Sequence, residues 1–264
     1  MYFPSSHSTL ALLAFAVLPA FANAQTTANI ALSSDYKFRG QDQDVLGHDG
    51  GARTRALKPS LQGGFDHAFG DSGWYVGNWN ASVGWLAGNS IESDLYGGYK
   101  FKADVFDIDL GALTYLYPGN HAGNTTELYA GASYTDATLG SVTLKYAHTV
   151  SKDYFNYAGN AAGSGLSGRN TGYLSLAYSK EIGAGVTLKA ALGHTRMASD
   201  IRRLGYRSFV DYSLGASLDL GGGLSLGGAL QGASHERAYA LTSGPDAGWS
   251  PNRPRLVLTL AKTL

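Results

Sequence analysis

The sequence predicts an all-β fold, a transmembrane antiparallel up-and-down β-barrel of about 12 strands. Three observations carry that expectation. Apolar and polar residues alternate with period two from Ala28 to Leu264, short and long connections alternate along the chain, and outward aromatics gather toward one end of the strands.

Composition narrows the field first. The 264 residues hold no cysteine, 20 Lys+Arg and 20 Asp+Glu, so disulfide frameworks and thiolate metal sites are excluded. Zero formal charge argues against nucleic acid as a partner, since phosphate binding draws on a basic surplus. With 36 Gly and 17 Tyr, the composition suits close-packed strands joined by tight turns. A mean hydropathy of −0.12 is too polar for a helical membrane protein. It is compatible with a barrel, in which only alternate residues meet lipid.

At the N-terminus an apolar run from Leu10 to Ala22, broken by Pro19, precedes Ala22-Asn23-Ala24. It is too short to span a bilayer and suits a secretory signal peptide, residues 1–24, cleaved after Ala24. Residues 25–264 then form one barrel domain.

Each strand is expected from its own alternation. The first sets Ile30, Leu32, Tyr36 and Phe38 against Asn29, Ser33, Asp35, Lys37 and Arg39; the second sets Leu57, Leu61, Phe65 and Phe69 against Lys58, Gln62 and Asp66. In the third, Tyr75, Trp79, Val83 and Trp85 oppose Asn78, Asn80 and Ser82, and in the fourth Leu95, Tyr99 and Phe101 oppose Glu92, Asp94 and Lys100. Phe106, Ile108 and Leu110 face away from Asp107 and Asp109, Leu128, Ala130 and Tyr134 from Glu127 and Ser133, and Val142, Leu144, Tyr146 and Val150 from Thr143, Lys145 and Thr149. The series continues through Leu174–Tyr178, Val186–Leu192, Val210–Leu218, Leu224–Leu230 and Leu256–Leu264. Tight joints at Gly70–Gly73, Lys102–Asp104, Asp136–Ala137, Gly183–Gly185 and Asp219–Gly223 alternate with longer ones, including Gln41–Ala56, Lys152–Asn170, Arg196–Arg207 and Ser234–Arg253. That asymmetry belongs to periplasmic turns and extracellular loops, with both termini periplasmic. Phe69, Tyr75, Phe101, Phe106, Tyr134 and Tyr178 all fall toward the turn end, where an amphipathic ring suits a headgroup interface.

The stretches ANIALSSDYKFRG (28–40), GWYVGNW (73–79), SDLYGGYKF (93–101), YLYPGN (115–120), NTTELYAGASY (124–134), VTLKYAHTVSKDYF (142–155), DLGGGLSL (219–226) and LVLTLAKTL (256–264) resemble the TorF family of proteobacterial porins. The resemblance covers nearly all of the mature chain. It implies an outer-membrane location and a pore, and brings no substrate or site residues with it.

The non-apolar face is then the lumen. Its bases are Lys37, Arg39, Lys58, Lys100, Lys102, Lys145, Lys189 and Arg255; its acids are Asp35, Asp66, Glu92, Asp94, Asp107, Asp109, Glu127 and Asp211. A lining so balanced should discriminate weakly between ions. About eight strands would leave a filled interior and about sixteen an open channel, so a dozen admits either a narrow pore or a lumen closed by paired side chains. Inward Tyr96, Tyr115, Tyr117 and Tyr129 could stack on sugar rings or serve lumenal carboxylates. Arg196, Arg202, Arg203 and Arg207 crowd one loop and could meet lipopolysaccharide phosphates or only water.

Enzyme signatures are weak. Gly163–Gly168 fits G-x-G-x-x-G without the strand and helix that the motif needs. His67, His148 and His194 fall on the apolar face without a nucleophile pairing, and Asp42, Asp44 and Asp49 lack a complete calcium loop. The expectation is a non-enzymatic, cofactor-free outer-membrane channel for passive diffusion of small solutes. Its partners would be outer-membrane lipid, lipopolysaccharide, the solutes and the barrel-assembly machinery. The alternatives are a structural or surface-binding barrel with a closed lumen and, as a minor one, an outer-membrane hydrolase.

Overall fold

The computed structural model describes residues 25–46, 57–242 and 246–264. The expected signal peptide and Asp49 lie outside them. Twelve strands close an antiparallel barrel: β1 (Gln25–Ser33), β4 (Ser60–Ala68), β5 (Trp74–Ser82), β6 (Ile91–Ala103), β7 (Phe106–Leu116), β8 (Thr125–Asp136), β9 (Gly140–Thr149), β10 (Gly172–Gly183), β11 (Val186–Arg196), β12 (Phe209–Gly221), β13 (Leu224–Ala233) and β14 (Arg255–Thr263). Two further strands, β2 (Lys37–Phe38) and β3 (Gln41–Asp42), form a separate small hairpin. Among the described residues, helix is limited to α1 (Ser199–Arg203), α2 (Glu236–Tyr239) and three single turns.

Neighbours in sequence are neighbours in space, and β1 closes the ring by pairing with both β4 and β14. Closure leaves no sheet edge, so each strand's amides and carbonyls find partners within the wall. The connections 69–73, 104–105, 137–139, 184–185 and 222–223 lie at one end, the turn end; the longer 34–59, 83–90, 117–124, 150–171, 197–208 and 234–254 lie at the other, the loop end.

Parity then divides the side chains. Leucines dominate the outer face, with Leu214 at 66% and Leu256 at 65% exposure. At the turn end Phe69, Trp74, Tyr99, Phe101, Phe106, Tyr134 and Tyr178 stand outward, with Trp74 and Tyr99 in contact at 5.0 Å between ring centroids.

Two sequence expectations are overturned. On β5 the faces are reversed: Trp74 and Val76 point out together with Asn78, Asn80 and Ser82, while Tyr75, Trp79, Val83 and Trp85 belong to the inner side. The outward polar groups are served by the adjacent strands. Asn78 Oδ1 accepts from Phe65 N at 3.2 Å, and Asn80 Oδ1 accepts from Ser93 Oγ at 2.8 Å. The first strand also stops at Ser33, and Tyr36 and Phe38 pack inside the barrel instead of facing outward.

The abundance of glycine and tyrosine has a shared cause in the wall. Inward Gly77, Gly98 and Gly111 are the register partners of Tyr96, Tyr75 and Tyr129. A Cβ on any of these glycines would come within 2.7 Å of its tyrosine partner. Each ring therefore lies flat on a seat with no side chain of its own.

Candidate functional site: a lumen closed from the loop end

All lumenal candidates named from the sequence project to the inner side, but they form two levels of different character. The level nearer the turn end mixes buried Tyr75, Tyr129 and Asp66 with partly exposed Tyr96, Asp109 and Lys189. Tyr96 donates to Asp66 Oδ1 at 2.6 Å, and Tyr75 donates to Asp109 Oδ1 at 2.7 Å while its hydroxyl also meets that of Tyr129. Lys100 Nζ sits 4.8 Å above the Tyr75 ring and Lys145 Nζ 3.7 Å above the Tyr129 ring, contacts that hold an ammonium against a π-face. Lys189 stands on the same side, partly exposed. Lys102 and Asp107 pair at 2.8 Å at the rim, where both are largely solvated and the pair contributes little.

The level nearer the loop end is buried, because residues 34–46 fold into the barrel. The chain leaves β1, runs inward as β2, reverses at Arg39-Gly40 and returns as β3. Both turn residues take left-handed φ, +48° and +72°. Gly40 is required there: a Cβ would fall 2.3 Å from the Gly232 carbonyl oxygen on β13, so the tip lies against the wall. A left-handed arginine costs on the order of 1 kcal/mol, which the surrounding contacts must offset.

Those contacts are mostly ionic. Arg39 makes a bidentate pair with Glu127 on β8, Nη1 to Oε1 at 3.0 Å and Nη2 to Oε2 at 2.6 Å. Its guanidinium lies 4.1 Å from the Tyr173 ring centroid and 4.8 Å from that of Phe38, and Nη1 also donates to the Tyr154 hydroxyl at 3.2 Å. Asp42 pairs with Lys58, both side chains wholly buried, and Arg255 Nε approaches Asp35 Oδ2 at 3.2 Å and Asp42 Oδ2 at 3.4 Å. Lys37 Nζ donates to the carbonyls of Gly40 and Pro251, and Gln41 bridges Asn252 and Tyr157, each at 2.8 Å.

The wall supplies further acids at this level. Glu92 accepts from Tyr36 at 3.0 Å and from Tyr117, Glu127 from Tyr115 at 3.4 Å, and Asp211 Oδ1 from Tyr173 at 3.1 Å. Buried Asp94 Oδ1 finds no hydrogen-bond partner among the described residues. Above this network Tyr154, Phe155, Met197, Ile201 and Tyr239 from the long connections, with Tyr115 and Phe209 from the wall and Tyr117 just past β7, form a buried apolar cluster. Burial pushes the Tyr157 phenol, in the 150–171 connection, well above its ordinary value, so it stays a neutral donor.

Lys37 and Arg39 therefore act from an inserted hairpin, not from a strand of the wall. Sequence reading did not single out Gln41, Tyr154 or Tyr173, and it placed Tyr75 outward. Tyr173 could have been found by continuing the parity of Leu174 and Leu176 one residue back. Tyr154 and Gln41 lie outside any strand and carry no periodic signal. Of the enzyme candidates, His67 shares a hydrogen bond with Thr26 Oγ1 at 2.8 Å and His148 with the Tyr146 hydroxyl at 3.3 Å, both on the outer wall. Gly163–Gly168 lies in the 150–171 connection. Asp42 of the calcium candidates is paired with Lys58, and no group of three His, Cys, Asp or Glu among the described residues is placed to hold a metal.

Residues 20–264 match a family described as a bacterial protein of unknown function, Gcw_chp. The chain belongs to that family. No curated protein matches the Gcw_chp chain in sequence. Among solved structures it is similar to the KdgM porin, at 10% identity over 89% of this chain and 98% of that one, with a TM-score of 0.55. It is similar also to the NanC porin, at 12% identity over 90% and 98%, TM-score 0.55. A third is the KdgM porin in complex with disordered oligogalacturonate, at 10% identity over 90% and 98%, TM-score 0.54. At such identities the likeness is one of fold, a porin-like closed barrel of 12 strands.

Proposed function

We propose that this Gcw_chp protein is an outer-membrane, porin-like channel for passive diffusion of small solutes, its bore closed at the loop end by the β2–β3 hairpin. One observation carries the reading. The obstruction is a separate hairpin laid inside the wall, whereas the twelve strands enclose a charged and hydroxylated bore. An outer apolar belt with a turn-end aromatic girdle supports placement in the outer membrane, as does the resemblance to TorF porins. The partners are then outer-membrane lipid and lipopolysaccharide, small solutes, and the assembly machinery, with residues 1–24 removed on export.

A second reading, a structural barrel with a closed lumen, is favoured by the wholly buried Lys58–Asp42 pair and the aromatic cluster above it. Planar-bilayer conductance separates the two. The variant with residues 36–43 replaced by a Gly-Ser linker conducts if the hairpin is the obstruction, and a silent variant with an intact barrel establishes the closed form. A sugar as solute, the class held by one structural neighbour, would meet Tyr96, since Tyr115, Tyr117 and Tyr129 are buried. Current unaffected by oligosaccharides removes that class. The reading is of a non-enzymatic barrel, and phospholipid turnover abolished by His148→Ala would overturn it.

A further inference from the structure

The inner wall holds a cradle built for a planar cation, and its present occupant belongs to the chain itself. Glu127 offers both carboxylate oxygens in one plane, the Tyr173 ring offers a face 4.1 Å from the guanidinium carbon, and Tyr154 adds a hydroxyl. This is the set that recognises guanidinium: a fork for two parallel N–H groups and a π-surface for the delocalised charge. The Arg39–Glu127 pair is nearly dry, with side-chain exposures of 6% and 2%.

Arg39 fits this cradle incompletely. Its Nε finds no hydrogen-bond partner among the described residues, and neither does Oδ2 of buried Asp211. Asp211 borders the hairpin tip, its Cβ lying 2.9 Å from where a Gly40 side chain would begin. A tethered arginine on a left-handed turn leaves one carboxylate oxygen and one N–H unused. A free ligand has no such tether.

We propose that the Glu127–Tyr173–Asp211 cradle is a binding site for small organic cations bearing a guanidinium or primary amine, and that Arg39 is its intramolecular competitor. Occupation by such a solute displaces the hairpin tip and, on the channel reading above, opens the bore to the solute that displaced it. The binding itself does not depend on conduction.

Calorimetric titration of the full-length mature protein in detergent with agmatine, which carries both groups, tests the site. Arg39→Gln empties the cradle and is expected to bind agmatine at least about tenfold more tightly than wild type, since apparent affinity scales with the fraction of sites free of the competitor. Arg39→Lys restores a competing cation and the weak affinity. Adding Glu127→Gln to Arg39→Gln abolishes binding, and gluconate and glucose bind to none. Folded barrel is verified for each variant by circular dichroism, and Tyr173→Leu in the Arg39→Gln background gives a second, charge-neutral route to the same loss. Equal agmatine affinity in wild type, Arg39→Gln and Arg39→Lys would overturn the proposal, as would binding that survives loss of Glu127. Agmatine binding by a barrel that never conducts leaves the site standing and removes the channel. Conduction without agmatine binding does the reverse.

Discussion

Replacing Glu127 by glutamine keeps the shape of the side chain and removes its charge, which leaves the Arg39 guanidinium buried without its counter-ion. Breaking a buried pair by removing one partner costs about 3–5 kcal/mol. Here the cost falls on hairpin docking, because Glu127 stays on β8 while Arg39 can leave with the turn. At about 1.4 kcal/mol per factor of ten, the undocked population rises on the order of a hundred- to a thousand-fold. Trypsin reads this directly. Arg39 is 7% exposed in the docked hairpin. Cleavage after it therefore reports undocking, and its rate follows the open population when reclosing is fast. We expect Glu127→Gln to raise the rate of cutting at Arg39–Gly40, identified by fragment mass, by about two orders of magnitude with the barrel intact. A rate within about threefold of wild type would refute the claim that this pair holds the hairpin.

Other expectations follow from the same geometry. Burial, with the neighbouring Asp42 carboxylate, pushes the Asp35 carboxyl up from 3.8 to about 7, against the opposing pull of Lys58, Arg255 and Lys37. A raised acid pKa stabilises the docked hairpin fully below the unperturbed value, and that contribution is lost as pH rises through about 7. Burial lowers the Lys37 ammonium to about 8, so it stays mostly charged in either state below pH 7 and does not oppose the trend. Conductance and tryptic cutting at Arg39 should therefore rise between pH 5 and 7.5, and an unchanged pH response in Asp35→Asn would remove the assignment. Gly40→Ala puts a Cβ 2.3 Å from the Gly232 carbonyl oxygen. It should loosen the tip by on the order of 1–3 kcal/mol, seen as faster cutting with unaltered barrel stability in urea. The chain has no cysteine, so single replacements on β5 report orientation without background. In proteoliposomes Trp79→Cys should react with a charged maleimide and Asn80→Cys should not; the opposite pattern would restore the sequence-based orientation of β5.

Strand count, connection asymmetry and the inner face of most strands were legible because a half-buried strand has a fixed period and each turn resets it. β5 misled for a physical reason. Trp74, Tyr75 and Val76 place apolar groups on both faces, and Asn78 and Asn80 satisfy themselves against neighbouring strands, so hydropathy alone does not fix the phase. The hairpin was hidden for a similar reason. Tyr36 and Phe38 alternate with Asp35, Lys37 and Arg39 just as a wall strand would, and only Arg39-Gly40, a turn-compatible pair, interrupts them. Which charge meets which was not legible. Arg39 and Glu127 are separated by 88 positions, and only the closed ring brings them together.

The flat tyrosines on their glycine seats carry a consequence for how bores of this kind diversify. Enlarging Gly77 would lift the Tyr96 ring off the wall and into the free space, because the atoms nearest a Cβ there belong to the Tyr96 and Asp66 side chains and the strand can stay as it is. Calibre is thus adjustable at Gly77, whereas at Gly98 and Gly111 the carbonyl oxygens of Leu110 and Gly97, 2.5 and 2.6 Å from a new Cβ, tie the seat to the cylinder itself.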